Sequence, residues 1–124
     1  MWVKDMMTFY DKNGYAVCYT MDNIHLYSFD GYPLAYFHAD KVWSYNGCCL
    51  GWLHNNWIID VNGYYVFFSE YAMGGMLKPL RHLKPLKSLR RLRPLKSLRN
   101  IAPLKPLVKL NWSSLSFKEF FGIC

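Results

Sequence analysis

Two adjacent cysteines, Cys48 and Cys49, and two histidines, His38 and His54, are the residues with which this chain could build a nucleophile and its base. Both histidines stand seven residues after a glycine in an internal repeat, a place typical of the end of a strand. The chain has no HExxH motif and no glycine-rich loop that would hold a phosphate. We therefore expect a protein that is not an enzyme, without catalytic residues and without a cofactor or metal site.

Asp11 and Asp60 are carboxylates at matched repeat positions, three residues before a glycine, where the other repeats have Ser28 and Ser44. One interpretation is a carboxylate pair for acid–base chemistry. The other is local hydrogen bonding, because Asp and Ser side chains both accept bonds from backbone N–H groups at turns. The four cysteines fit no metal-ligand spacing. Since residues 1–8 carry no export signal, we expect reduced thiols and a cytoplasmic protein.

A hairpin signal occurs four times and organises these positions. It consists of an apolar run, then Asn-Gly or Asp-Gly, then a second apolar run, and its glycines are spaced 17, 16 and 16 residues apart: Gly14, Gly31, Gly47 and Gly63. Both central residues of a type I′ turn need positive φ, which Asn, Asp and Gly adopt at low cost. The sequence therefore predicts an all-β fold: four consecutive hairpins with pseudo-four-fold symmetry, forming a shallow flower or barrel.

Alternation along these strands predicts which side chains fill the interior. Aliphatic residues stand three places after each glycine and aromatic residues five places after it, so they share one face. Small residues stand between them in three repeats, and Phe67 breaks that pattern in the fourth. We expect the two larger sets to line the centre; they are Val17, Leu34, Leu50 and Val66, and Tyr19, Tyr36, Trp52 and Phe68.

The chain resembles the family of four-fold β-flower proteins. The resemblance rests on the repeated hairpins, the phrase Leu50-Gly51-Trp52, the Gly74-Gly75 step into a Lys-Pro-Leu segment, and the stretch NWSSLSFKEFF at residues 111–121. It spans nearly the whole chain. It implies a symmetric structure of four hairpin petals, similar in shape to Tubby-type and scramblase-type barrels that associate with membranes, and it implies no catalytic or binding residues.

A different pattern begins after Gly75. An apolar residue recurs at every third position from Leu77 to Leu110, and Lys or Arg follows most of them. Five prolines in this stretch exclude an α-helix, whereas polyproline II, with three residues per turn, keeps leucine, base and proline on separate edges. The leucine edge is too apolar to remain in water. We expect it to lie on the β-domain, fold back on itself, meet another copy or insert at a membrane surface.

The chain is therefore divided into a β-domain at 1–76, a basic tail at 77–110 and a terminal clip at 111–124. Ser116 and Glu119 have the spacing of a capping box, which predicts a short helix with three phenylalanines on one face. Trp112 is expected to join this clip. Residues 1–76 carry a formal charge of −4 and residues 77–124 carry +11.

The basic residues of the tail are candidates for binding an anionic partner; they are Lys78, Arg81, Lys84, Lys87, Arg90, Arg91, Arg93, Lys96 and Arg99. An anionic membrane would attract them while the leucines enter the interface. Nucleic acid would attract them without sequence preference, although the tail lacks aromatic residues that stack on bases. The tail could also be structural and dock on the β-domain, or Pro103 and Pro106 could suit a proline-motif domain. We predict a non-catalytic interaction protein, peripheral to the membrane, of unknown oligomeric state.

Overall fold

Eight strands form a closed antiparallel barrel in the computed structural model, which describes residues 6–124. Residues 1–5, which belong to the predicted β-domain and to the segment searched for an export signal, lie outside the described residues. Each strand pairs with the next, and β8 pairs with β1. This arrangement confirms the predicted all-β fold. The strands are β1 Met7–Tyr10, β2 Ala16–Thr20, β3 His25–Ser28, β4 Pro33–His38, β5 Lys41–Trp43, β6 Cys49–His54, β7 Trp57–Asp60 and β8 Tyr65–Ser69.

The four glycine turns are present where the sequence predicts them, but their geometry is not type I′. Gly14 has φ +85°, whereas Asn13 has no positive φ, and the N–H of Gly14 donates to the carbonyl of Asp11. That pattern is a type I turn followed by a left-handed glycine, which inserts a bulge into the hairpin. Positive φ at two successive residues occurs instead in two turns at the other end of the barrel, at Ala39 and Asp40 and at Asn55 and Asn56.

The side chain three places before each glycine caps its turn. Asp11 and Asp60 each accept bonds from two backbone N–H groups through Oδ1, at 2.9 and 3.0 Å. Ser28 and Ser44 each accept one such bond through Oγ, at 3.1 Å. These contacts confirm the prediction of local hydrogen bonding at this position.

The centre of the barrel is narrow, and each hairpin fills it with one pair of facing residues. The incoming strand supplies a fully buried large residue, and the outgoing strand supplies a small one in three of the four hairpins. In these three hairpins a small residue faces the large one across the narrow interior, so the small residues mark the inner face. The pairs are Phe9 with Cys18, Leu26 with Ala35, Val42 with Gly51, and Ile58 with Phe67.

The aromatic set predicted to line the centre lies on the outer face of the barrel instead. Tyr19, Tyr36, Trp52 and Phe68 belong to clusters separate from the central core, and so the prediction is wrong for them. The aliphatic set does pack in or against the central core. We call the buried outer residues the outer girdle: Tyr10, Tyr19, Tyr27, Tyr36, Trp43, Trp52, Ile59 and Phe68.

The terminal clip packs against the central core of the barrel with the helix α1, Phe117–Phe121. The capping box of Ser116 and Glu119 is present, as predicted. Phe120 is fully buried in the central core, and the ring of Phe67 lies 5.6 Å from it and contacts Phe117 and Phe121 as well. Phe67 therefore breaks the four-fold pattern because it receives the clip. Trp112 packs on Trp57 with 5.7 Å between the rings, as expected for a part of the clip.

A disulfide joins Cys48 in the third glycine turn to Cys124 at the end of the clip. The prediction of four reduced thiols is therefore wrong for this pair, while Cys18 and Cys49 are free. The sequence reasoning considered only neighbouring cysteines and metal spacings. It could not see that the fold brings two cysteines together across 76 residues of chain.

Candidate functional site

The tail passes along the outside of the barrel and meets the four hairpins in chain order. Residues 77–110, all within the described part of the chain, contain no helix or strand. Their backbone bonds to the barrel instead, and the carbonyl of each turn glycine accepts a bond from one tail N–H. These bonds are His82 to Gly14 at 2.9 Å, Arg91 to Gly31 at 2.9 Å, Asn100 to Gly47 at 2.8 Å and Lys109 to Gly63 at 2.9 Å.

The same glycines also create the space in which the tail lies. A β-carbon on Gly31 would collide with the carbonyl oxygen of Leu89, and the other three turn glycines meet Leu80, Leu98 and Leu107 in the same way. Glycine is therefore required twice at each turn, for its positive φ and for the close approach of the tail. The tail advances nine residues from one of these contacts to the next.

A nine-residue repeat in the tail matches this geometry, and the sequence reasoning missed it. Residues 80–88 read LRHLKPLKS, residues 89–97 read LRRLRPLKS and residues 98–106 read LRNIAPLKP. Nine residues are three turns of a three-residue helix, so each hairpin receives three turns of tail. Comparing the tail with itself at this period would have revealed the repeat, while its match to the four hairpins is visible only in the structure.

Six of the nine basic candidates lie over aromatic rings of the barrel at the second or eighth place of the repeat. Each such contact is a cation–π interaction, which leaves the charged group exposed at its edge. From charge to ring centre, the distances are 5.5 Å for Arg81 and Tyr10, 5.6 Å for Arg90 and Tyr27, 5.9 Å for Arg99 and Trp43, 5.8 Å for Lys78 and Trp57, 5.4 Å for Lys87 and Tyr19, and 4.4 Å for Lys96 and Tyr36.

The other three candidates contact the barrel as well. Arg91 lies 4.3 Å from the ring centre of Tyr32. Arg93 donates to the Tyr27 hydroxyl at 3.3 Å. Lys84 lies 3.6 Å from a carboxylate oxygen of Glu70. All nine residues remain exposed, so these contacts orient the charged groups without removing them from water. Their binding of an external partner stays a prediction.

The fourth hairpin replaces the stacked pair by an apolar one. Its girdle position holds Ile59 where the earlier hairpins have Tyr10, Tyr27 and Trp43, and the matching tail position holds Val108 instead of arginine. Val108 packs against the cluster that contains Ile59. The tail and the barrel therefore differ from their repeats at matched positions, as expected if each nine-residue unit is fitted to its own hairpin.

The leucine edge of the tail faces away from the barrel. Eleven of its side chains are 88–99% exposed and Leu110 is 69% exposed. The expectations that this edge lies on the β-domain or folds back on itself are therefore wrong, while another copy and a membrane surface remain open. We call this surface the leucine belt: Leu77, Leu80, Leu83, Leu86, Leu89, Leu92, Leu95, Leu98, Ile101, Leu104, Leu107 and Leu110.

The candidate nucleophiles have little of the required chemistry. The sulfur of Cys48 is held in the disulfide. Burial raises the pKa of the Cys49 thiol, which disfavours the thiolate. Burial and the nearby Lys105 ammonium, 3.1 Å from its ring, lower the pKa of His54. Within residues 6–124, no three His, Cys, Asp or Glu residues are grouped to hold a metal, and no helix has the length and apolar character to cross a membrane.

Comparison with known proteins identifies the fold. A family model described as "4-fold beta flower protein" matches residues 7–121. No curated protein and no solved structure matches the chain. The matched range includes the barrel, the whole tail and the helix α1, so the tail is part of the unit that the family model describes.

Proposed function

The chain belongs to the 4-fold beta flower family, and we propose that it is a non-catalytic protein that associates with an anionic membrane surface through its tail. The leucine belt is the observation that carries this proposal. Twelve large apolar side chains follow one another along a single edge and face outward. An exposed apolar surface of this extent marks an interaction site in soluble proteins.

The apolar contact is attributed to the leucines, and the charge preference to the bases. Transfer of a leucine side chain out of water contributes roughly 1.5–3 kcal/mol when it is complete. The adjacent edge carries the Lys and Arg residues, which contribute about 1 kcal/mol each near an anionic lipid surface. Residues 77–110 contain no acidic residue that would oppose such a surface. A bilayer interface with anionic headgroups complements both edges.

Co-sedimentation with lipid vesicles tests this proposal. The whole protein is compared with a variant in which Leu83, Ile101 and Leu104 are changed to Ser, in phosphatidylcholine vesicles with and without phosphatidylserine. These side chains are 93–99% exposed, so their removal leaves the fold intact. We expect binding to require phosphatidylserine, to weaken with added salt and to fall at least about tenfold in the variant.

A matched control separates the belt from general surface hydrophobicity. Ile24, Met73 and Ile123 are exposed apolar residues outside the belt, and their change to Ser should leave vesicle binding unchanged. A second copy of the chain is the other occupant of the belt. If the protein does not bind vesicles, and its mass in solution is that of an oligomer that the belt substitutions dissociate, the proposal would be overturned. Binding of duplex DNA but not of vesicles would overturn it in favour of nucleic acid.

Cytoplasmic localisation stays a prediction. A disulfide such as Cys48–Cys124 persists mainly in oxidising compartments, which favours a protein outside the reducing cytoplasm. Alkylation of free thiols in freshly lysed cells, before and after reduction, would decide between the two. Four alkylated cysteines without reduction would support the cytoplasm, and two would support an oxidising compartment.

A further inference from the structure

A basic cleft lies where the second nine-residue unit of the tail passes the loop between β2 and β3. It has a volume of about 900 Å³. The tail side of the cleft is formed by Arg90, Arg91, Arg93 and Lys96, and the loop side includes Asp22 and His25. The cleft is distinct from the leucine belt, although Leu92 and Leu95 of the belt stand at its rim.

The four cations of the cleft are oriented by contacts with aromatic residues and not by ion pairs within residues 6–124. Arg90 lies over the ring of Tyr27, Arg91 over that of Tyr32 and Lys96 over that of Tyr36. Arg93 donates a hydrogen bond to the Tyr27 hydroxyl. Within residues 6–124, no carboxylate lies within ion-pair distance of any of the four. A guanidinium that is fixed in position and lacks a carboxylate presents its N–H donors to an external anion at little entropic cost.

Asp22 does not take up these donors, because the loop already satisfies it. It accepts bonds from the N–H groups of Ile24 and His25 at 2.9 and 2.8 Å, and it lies 2.6 Å from the His25 ring. Burial opposes its ionisation, but these bonds hold the pKa of Asp22 below its usual value. Its charge offsets one of the four cations, and the cleft keeps an excess of positive charge.

The other nine-residue units of the tail lack this combination. The first unit has Lys84 at the place of Arg93, and the Glu70 carboxylate is 3.6 Å away from it. The third unit has Ala102 at that place. The concentration of cations without an ion pair is therefore specific to the second unit and does not follow from the repeat.

A buried hydroxyl adds a second indication beside the cleft. The Tyr45 hydroxyl has no hydrogen-bond partner among residues 6–124. Burial raises the pKa of Tyr45 to about 12. Its carbonyl accepts a bond from the N–H of Ser97 at 2.9 Å, and its ring lies 5.6 Å from the ring of Tyr36, over which Lys96 lies, so Tyr45 lies beside the cleft without lining it. A buried polar group without a partner is costly, and ligand or water bound nearby is a usual explanation for it.

We infer that this cleft is a binding site for a phosphate-bearing anion, held by the guanidinium groups of Arg90, Arg91 and Arg93 and the ammonium group of Lys96. Guanidinium groups bind phosphate oxygens through paired N–H donors, which is why arginine dominates phosphate recognition. The phosphate belongs either to a lipid headgroup, with acyl chains toward Leu92 and Leu95, or to a soluble compound. The inference does not depend on membrane association, because the site is complete without the belt.

Titration of the whole protein with inorganic phosphate tests the site. The variant R90Q/R93Q is compared with R81Q/K84Q, which removes two charges at the same two places of the first nine-residue unit. We expect saturable binding, with a dissociation constant raised at least about tenfold in R90Q/R93Q and less than about twofold in R81Q/K84Q. Equal weakening in both variants, or no saturation, would overturn the inference, because the charge of the whole tail would then attract the phosphate.

Two additions complete the test. R90K/R93K keeps both charges and should bind more tightly than R90Q/R93Q; equal affinity, with both variants folded, would overturn the inference. Vesicles with a minor fraction of phosphatidic acid are compared with charge-matched phosphatidylserine vesicles. If the protein prefers phosphatidic acid vesicles and R90Q/R93Q abolishes this preference, the site is supported with a lipid phosphate as its ligand. If the protein binds both kinds of vesicle equally and still binds inorganic phosphate saturably, the site is supported with a soluble phosphate compound as its ligand. The serine variants of Leu83, Ile101 and Leu104 should leave the phosphate titration unchanged, so the belt and the cleft can fail separately.

Discussion

The carbonyl oxygen of Leu89 occupies the space that a β-carbon on Gly31 would need. This contact joins a tail residue to a turn residue, and the same contact recurs at each of the other three hairpins. The tail can therefore lie this close to each turn only because the turn glycine has no β-carbon. Substitution of the glycine tests this relationship directly.

Gly31→Ala is expected to lift the second unit of the tail from the barrel. The β-carbon would force Leu89 away, and alanine would also be strained at the φ of +89°. We expect a loss of about 2 kcal/mol or more in unfolding free energy, and faster tryptic cleavage after Arg90 and Arg91. Gly74→Ala is the matched control, because Gly74 has φ +63° with no atom in the way. If both variants leave tryptic cleavage of the tail unchanged, the tail is not held by this contact.

Cys124→Ser is expected to destabilise the protein by about 2–4 kcal/mol, because the disulfide restricts the unfolded chain across a long loop. The two cysteines are separated by 76 residues. Urea unfolding with and without reductant is the measurement. Reductant should destabilise the wild type and the Cys49→Ser control, and should have no effect on Cys124→Ser. A wild type that is insensitive to reductant would contradict the bridge.

Arg81 and Tyr10 are expected to show a coupling of about 0.5–1 kcal/mol in a double-mutant cycle, as a cation–π pair does. The variants Arg81→Met and Tyr10→Leu, with their combination, remove the charge and the ring; the two lie 5.5 Å apart. Ile59→Val in another hairpin serves as the uncoupled partner for Arg81→Met. Coupling of equal size in both cycles would mean that the effect is not specific to the stacked pair.

Asp22 is expected to make the stability depend on pH in the acid range. Its pKa in the folded protein is lowered, since hydrogen bonds from His25 and Ile24 outweigh the effect of burial. Its contribution is therefore fully present above the unfolded pKa of about 3.9 and is lost as pH falls through the lower folded value.

Asp22→Asn should accordingly be less stable than the wild type at neutral pH, with a difference that shrinks on acidification. Urea unfolding at a series of pH values measures it, with Asp30→Asn in an exposed turn as the control. A difference that stays constant with pH would assign the effect of Asp22 to shape and not to charge.

Most of the barrel could be predicted from the sequence because its signals are local. The Asn-Gly and Asp-Gly steps located all four hairpins, and Ser116 with Glu119 located the helix. The turn type could not be read in this way, because Asn and Gly suit both geometries. Asp or Ser three places earlier was the decisive sign, since that side chain caps a type I turn with a glycine bulge.

The prediction placed the aromatic residues on the inner face of the barrel, although they lie on its outer face, because large side chains were expected in the interior. Tyr19 and Tyr36 are buried on the outer face, among neighbouring aromatic residues and under the tail lysines Lys87 and Lys96, and not in the barrel centre. The small residues Cys18 and Ala35 were the better sign, since a narrow barrel has room for little else. Similarly, the period of three in the tail was evident, while the period of nine has meaning only beside the four hairpins.

The tail contacts also differ in the length of chain that each must close. His82 is 68 residues from Gly14, whereas Lys109 is only 46 residues from Gly63. Shorter loops close at a lower cost in entropy, so the tail should assemble from its C-terminal end and reach the first hairpin last. During synthesis the hairpins emerge before any of the tail, and the outer girdle of the nascent chain therefore stays uncovered until the tail has been synthesised.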